Sequence, residues 1–294
     1  MPGLKSPNFP KRYSIGMNKK KKKFVNRIIN RIYKHTKSDY FRLTMLNFAT
    51  KYFVDKQNKI QYDRDNNIFW LKNNRQYLLA VDKPYFDFDK EKMDKTILNV
   101  FCLKYIPKKG DVIIDVGAGI GSEIGFFENK MGDNGKLFCI EASPSSFRKL
   151  ELLKQKNSFK NCYTFNIAIS NKNGIMWMQE KDNYRVNKIN DMTNGIEIEV
   201  NTFDEFVFKN NIQHIDFLKA NIEGAEYEMV DGMEKSIGII DNIAVSCHDF
   251  LNDEEEERIR KKVERFLIKN NFELFYRNTG NKILDSWLFG KKSG

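Results

Sequence analysis

Residues 111–121 read DVIIDVGAGIG, and the fold turns on them. Val112, Ile113, Ile114 and Val116 surround one acid, Asp115, which is the pattern of a strand buried on both faces of a parallel sheet. Gly117, Gly119 and Gly121 follow, alternating with Ala118 and Ile120, and Ser122 starts a run, SEIGFFENKM, that reads as a helix. Only glycine lets a backbone turn this tightly and approach a ligand at a helix N-terminus. Strand, glycine turn and helix therefore make the first unit of a nucleotide-binding fold.

Two cofactor classes use such a turn. A dinucleotide fingerprint wants its third glycine at the sixth position, for close helix packing. Here that position is Ser122, and the glycines stand at the first, third and fifth positions with Asp115 two residues ahead of them. A carboxylate at the strand end repels a pyrophosphate but suits a ligand carrying a positive amino group, and S-adenosylmethionine is such a ligand. A second acid, Glu141, ends the next apolar run, KLFCIE, twenty residues after Gly121, where a carboxylate accepts ribose hydroxyls of either cofactor. A glycine-rich turn with no ligand is the bland alternative.

Composition narrows the rest. The chain has 294 residues, 41% hydrophobic and 30% charged, enough for one large domain with an accessory segment. No apolar run reaches about eighteen residues, and no apolar stretch near the N-terminus resembles a secretion signal. The four cysteines, Cys102, Cys139, Cys162 and Cys247, are widely spaced, which suits buried free thiols in a reducing compartment, here the cytoplasm. The net charge of +11 is uneven: residues 1–60 hold 16 lysines and arginines against two acids, leaving 34 bases against 37 acids in the remainder. A catalytic face that reads nucleic acid would carry the basic patch itself, so this division argues against a nucleic-acid substrate.

Along the chain, residues 1–23 read as a disordered basic tail ending in five lysines at 19–23. Val25, Ile28, Ile29 and Ile32 recur at helical spacing over 24–33, and after Ser38 as N-cap a second helix carries Phe41, Met45, Phe48 and Tyr52 on one face. A basic amphipathic helix beside lysines fits an anionic membrane surface, reached peripherally through residues 19–33; the alternative is a helix packed on the domain behind a solvated tail. Residues 59–81 read as an antiparallel meander, so 24–84 form an N-terminal region of helices and a small sheet. A helix over 88–105, capped by Asp87 or Asp89, leads into the central strand.

Beyond the glycine turn, strand and helix alternate, which implies a parallel sheet with right-handed crossovers. Ser143 caps a helix starting at Pro144, with Phe147, Leu150 and Leu153 as its buried stripe. The third strand and its exit loop occupy 161–169. Two extra strands, 174–179 and 196–202, flank a polar insert at 180–195. The fourth and fifth strands are 215–220 and 239–246. Five acids at 253–257 open a helix, and 272–276 with 283–289 close the chain as an antiparallel hairpin.

Taken together, IDVGAGIG at 114–121, IEASPSSF at 140–147, AISNKNG at 168–174 and DFLKANIEGAEYEMVDGM at 216–233 resemble the FkbM family of S-adenosylmethionine-dependent methyltransferases over about residues 85–290. The resemblance implies a class I methyltransferase fold: a Rossmann-like α/β architecture with a mostly parallel seven-stranded sheet and a C-terminal antiparallel hairpin, here with an N-terminal basic helical extension. It also implies methyl transfer to a hydroxyl of a sugar, glycan or related small acceptor. Carried over, Asp115, Gly117, Ala118, Gly119 and Gly121 hold the methionine end, Glu141 with Ala142 and Ser143 the ribose, and Ala168 lies near the adenine. The family's pattern has aspartate two residues before Glu223, where this chain has Asn221; an amide only hydrogen-bonds, so Asn221 is expected on the cofactor or acceptor and no metal is expected.

Methyl transfer from a sulfonium asks for in-line positioning of the acceptor oxygen and removal of its proton. Candidate bases lie at the C-terminal ends of the parallel strands, where Glu223 and His248 both fall. Either could instead be structural, His248 as a loop residue bonded to backbone and Glu223 with Glu226 as acids at a helix start. The expectation is an O-methyltransferase. The rival readings are a nucleic-acid methyltransferase using the basic arm and a non-catalytic membrane-associated scaffold. Oligomeric state has no signature here.

Overall fold

The computed structural model describes residues 38–84, 88–179, 188–190, 195–248 and 253–293, with Lys20, Lys23, Phe24, Val25, Arg27, Arg31 and His35 ahead of them. The tail at 1–18, most of the lysine run and of the helix expected over 24–33, Asp87, and most of the insert at 180–195 lie outside the described residues. Two compact units are present: the residues up to Ile97 together with Ile120–Gly125 and Leu152–Ser158 form one, and the remainder the other.

In the first unit, the Ser38 side chain accepts from the Phe41 amide and starts α1 (Asp39–Phe53) as expected. The expected apolar face is not the buried one. Phe41, Phe48 and Tyr52 are 47%, 50% and 67% exposed, and Leu46, Ala49 and Thr50 carry the burial. Periodicity identifies an apolar face but not what covers it. The meander over 59–81 is present as β1 (Asn58–Asp63), β2 (Ile68–Asn73) and β3 (Gln76–Val81), all antiparallel. Its core of Ile68, Trp70 and Ala80 packs on Leu153. The next helix, α2 (Lys90–Val100), starts after Asp89, whose carboxylate accepts from the Lys92 amide. It stops five residues before the expected 105. From Leu98 the chain belongs to the second unit, where Phe101 and Cys102 are buried and the Phe101 ring meets Phe127 and Trp287.

The elements that follow are β4 (Val112–Val116), α3 (Ile124–Met131), β5 (Lys136–Ile140), α4 (Pro144–Asn157), β6 (Cys162–Phe165), β7 (Ala168–Ser170), β8 (Gly174–Gln179), β9 (Lys188–Asn190) and β10 (Ile196–Thr202). Then come α5 (Phe203–Lys209), β11 (Ile215–Ala220), α6 (Glu226–Asp231), β12 (Ile240–Ser246), α7 (Asp253–Lys269), β13 (Phe272–Phe275), α8 (Lys282–Asp285) and β14 (Trp287–Lys292). A seven-stranded sheet runs in the order β13-β14-β12-β11-β4-β5-β6. Its strands are parallel from β12 to β6, and β14 is antiparallel to both its neighbours. This is the expected class I methyltransferase architecture. Branched and aromatic residues on both faces of these strands make the main core, from Ile114 and Phe138 through Leu218 and Val245 to Leu288.

Two details differ from expectation. The run at 161–169 divides: β6 ends at Phe165, and Ala168 begins β7, which pairs with β10 in a separate four-stranded sheet, β7-β10-β8-β9. The second arm of the terminal hairpin begins at Trp287, because Asn281 accepts from the Ile283 and Leu284 amides and folds residues 282–285 as a helical turn. An N-cap won there over a short apolar run.

The topology sets the place of the site. From β4 the chain proceeds outward through β5 to β6, then returns to lay β11 on the other side of β4. In parallel sheets, ligands bind outside the C-terminal strand ends where the direction reverses in this way.

Candidate functional site

The glycine turn leaves β4 at this reversal. Gly117 and Ala118 amides donate to the Ile140 carbonyl at 2.9 and 3.0 Å, tying the turn to the end of β5. Gly117 has φ +78° and lies so near β11 that a Cβ would sit 2.3 Å from the Asn221 carbonyl oxygen. No other residue type fits there.

Glu141, at the end of β5, is bound on both oxygens: Oε2 accepts from the Gly119 amide and Oε1 from the Ser143 amide, each at 2.8 Å. Burial pushes its carboxyl above the ordinary value, against the pull of those two amides. Ser143 is buried and caps α4 through the Ser146 amide. Ala168 lies in the apolar cluster of the second sheet with Met178, Ile198 and Val200, and Ala142 packs against that cluster. The turn, Glu141, Ala142 and Ser143 thus gather at adjoining strand ends. Asn166, which sequence reasoning passed over, reaches back from the end of β6 to the Glu141 and Ala142 carbonyls at 2.9 and 3.0 Å and fixes this edge.

A second missed residue is Lys219. It sits on β11 beside Asp115 of β4 in the parallel register, with only 3% of its side chain exposed. Its Nζ is 2.7 Å from Asp115 Oδ1 and 3.1 Å from the Gly117 carbonyl. A lysine near the buried end of the strand run IDFLKA was the available signal, since a buried ammonium needs a carboxylate partner. Asp115 Oδ2 is buried and has no hydrogen-bond partner among the described residues. A carboxylate oxygen left so would cost free energy unless a donor fills it, and the amino group of a bound S-adenosylmethionine is such a donor. The turn, Asp115 and Glu141 therefore fit that cofactor.

Next to the turn, the loop after β11 and the end of β12 bring both candidate bases together. Glu226 is fully buried and does three things: Oε1 accepts from the Ile222 amide at 2.9 Å, Oε2 accepts from the Gly224 amide at 2.8 Å, and Oε1 lies 3.0 Å from His248 Nδ1. It is the organiser of the loop more than a helix-dipole acid. His248 Nε2 lies 3.4 Å from Glu223 Oε2, with the histidine side chain 1% exposed and that of Glu223 20% exposed. Burial alone would lower the His248 pKa, but Glu223 and Glu226 outweigh it and raise the imidazole to about 9. Among the described residues, non-glycine positions with positive φ are four asparagines, one serine, Glu223 at +53° and His248 at +41°. Two of these positions are the candidate bases, and a glutamate is seldom found in that conformation. Such strain costs roughly 1–3 kcal/mol per residue and gathers at functional sites.

Asn221 is half-buried where β11 ends, its backbone N–H donating to the Val116 carbonyl at 3.0 Å. The one described cluster with spacing for a cation, His214, Asp216 and Asp241, lies at the opposite, N-terminal ends of β11 and β12.

No curated protein matches the chain. Among solved structures, it is similar to methyltransferase FkbM from Methylobacillus flagellatus KT, with 15% identity and a TM-score of 0.46, over 64% of this chain and 45% of that one. The chain thus spans less than half the length of that relative. It is also similar to Aeropyrum pernix fibrillarin in complex with S-adenosyl-L-methionine, at 14% identity and TM-score 0.42 over 68% of this chain and 74% of that one. A third is a SAM-dependent methyltransferase from Aquifex aeolicus, at 15% identity and TM-score 0.38 over 69% and 97%. The decisive match is to a family model described as the methyltransferase FkbM domain, which covers residues 115–274, more than half of the chain. With the glycine turn, Glu141 and the Glu223 loop all inside that match, the chain belongs to the FkbM family of S-adenosylmethionine-dependent methyltransferases.

Proposed function

We propose that this methyltransferase acts on oxygen, methylating a hydroxyl of a sugar, glycan or related small acceptor, with Glu223 as the base. The observation that carries the reading is the arrangement of His248 between Glu223 and Glu226 beside the cofactor turn. A histidine raised to about 9 is already protonated near neutral pH and cannot take another proton. Glu223 is the partly exposed member of the trio, and its carboxylate is the group able to meet an acceptor.

When bound, S-adenosylmethionine supplies a methyl group already activated on a sulfonium. Asp115, with the backbone of residues 117–121, would hold its methionine end and Glu141 its ribose. Glu223 accepts the proton of the acceptor hydroxyl as the oxygen gains its methyl group. His248 orients the Glu223 carboxylate, and Glu226 holds both His248 and the loop. Asn221 offers an amide at the same strand end to orient an acceptor or the cofactor carboxylate.

The test is transfer of labelled methyl from S-adenosylmethionine to a panel of glycans and simple sugars, with the linkage of the product determined. Label in a methyl ether, lost by about 10²–10⁴ in rate in Glu223→Gln with cofactor binding retained, is the expected result. Label recovered only on nitrogen or carbon, or only in nucleic acid, would overturn the acceptor assignment.

A further inference from the structure

The first unit carries a surface that the proposed chemistry does not use. On α1, Tyr40, Phe41, Phe48 and Tyr52 are 80%, 47%, 50% and 67% exposed. With Met45 they fall within one side of the helix, while Leu46, Ala49 and Thr50 face the protein. So many large rings on one short helix is unusual for a surface that meets only water. Ahead of α1, the helical residues Lys20, Lys23, Arg27 and Arg31 are exposed at i, i+3, i+7 and i+11, which is one face, and Phe24 is 58% exposed beside them. Residues 1–60 hold two acids, Asp39 and Asp55, against 16 bases. Asp39 is already taken by Arg42 at 3.3 Å.

We propose that this basic and aromatic surface binds the face of an anionic phospholipid bilayer, the rings of α1 entering the headgroup layer and the lysines and arginines meeting lipid phosphates. Charge complementarity selects the sign of the partner, and amphipathic tyrosines bracketing two phenylalanines suit a boundary that is wet on one side and apolar on the other. A nucleic acid would satisfy the cations and suits the rings less well, because Phe48 and Tyr52 pack on each other with centroids 4.3 Å apart and so leave each one fewer face on which a base could stack. Among the described residues no helix is long and apolar enough to cross a membrane, so the binding is peripheral.

The experiment is cosedimentation of the full chain with phosphatidylcholine vesicles, with and without phosphatidylglycerol. Binding only to the anionic vesicles is expected, weakening with salt. Charge reversal of Lys20, Lys23, Arg27 and Arg31 to Glu should lower partition by at least about a hundredfold. Phe41→Ser with Phe48→Ser, which leaves the charge unchanged, should lower it by about tenfold or more. Circular dichroism and S-adenosylmethionine binding should be unchanged in both variants. No binding to anionic vesicles overturns the proposal, as does binding indifferent to the serine substitutions. Capture of polyuridylate in place of vesicles would mark a nucleic-acid surface. Self-association lost in Phe48→Ser, without vesicle binding, would mark an interface with a second copy.

Discussion

Replacing Glu223 by glutamine removes one of the two carboxylates that keep the buried His248 imidazole charged. In the native protein those carboxylates overcome burial and carry the histidine from 6.5 to about 9. At about 1.36 kcal/mol per pH unit, this amounts to about 3 kcal/mol of preference for the charged form. The hydrogen bond from Glu223 leads the contributions that raise it, with Glu226 close behind, so loss of the Glu223 carboxylate should lower the His248 pKa by about one pH unit or more. The chain has three histidines, so imidazole resonances can be assigned with His35→Asn and His214→Asn and followed by nuclear magnetic resonance across pH. The expected result is a His248 that stays protonated past pH 8 in the native protein and titrates lower in Glu223→Gln. A native His248 titrating at about 6.5 or below would refute the reasoning and return it to the place of base.

The same pair makes stability depend on pH. Because the folded pKa is raised, the stabilisation is complete below 6.5 and is lost as pH rises through about 9, so the gap in unfolding free energy between native protein and His248→Asn should shrink across that window. Lys219→Met leaves Asp115 buried beside no counter-charge and should cost roughly 3–5 kcal/mol in urea unfolding, whereas Lys219→Met with Asp115→Leu should recover much of that stability without recovering cofactor binding. Gly117→Ala places a Cβ 2.3 Å from the Asn221 carbonyl oxygen at φ +78°, and the urea midpoint should fall together with cofactor affinity.

Much of the fold was legible because its signals are local. Four apolar residues around Asp115, then three glycines, specify strand and turn within eleven positions, and Ser143 followed by Pro144 specifies a helix start. The Lys219–Asp115 pair was not legible, since the two lie 104 residues apart and meet only through the register of β11 on β4. Glu226 was read as an acid at a helix start because the sequence holds no trace of the Ile222 and Gly224 amides that turn back onto it. Residues 282–285 have strand-like composition, yet Asn281 caps them into a helical turn, and Phe165 to Ala168 passes from one sheet to another with no glycine or proline to mark the change.

The central claim is that the turn after β4, with Asp115 and Glu141, holds S-adenosylmethionine. Calorimetric titration of the full chain with that cofactor, beside an Asp115→Asn variant checked for folding, tests it most directly. Saturable one-to-one binding by the native protein, much weakened in the variant, is the expected result. A folded native chain that takes up no S-adenosylmethionine would contradict the account.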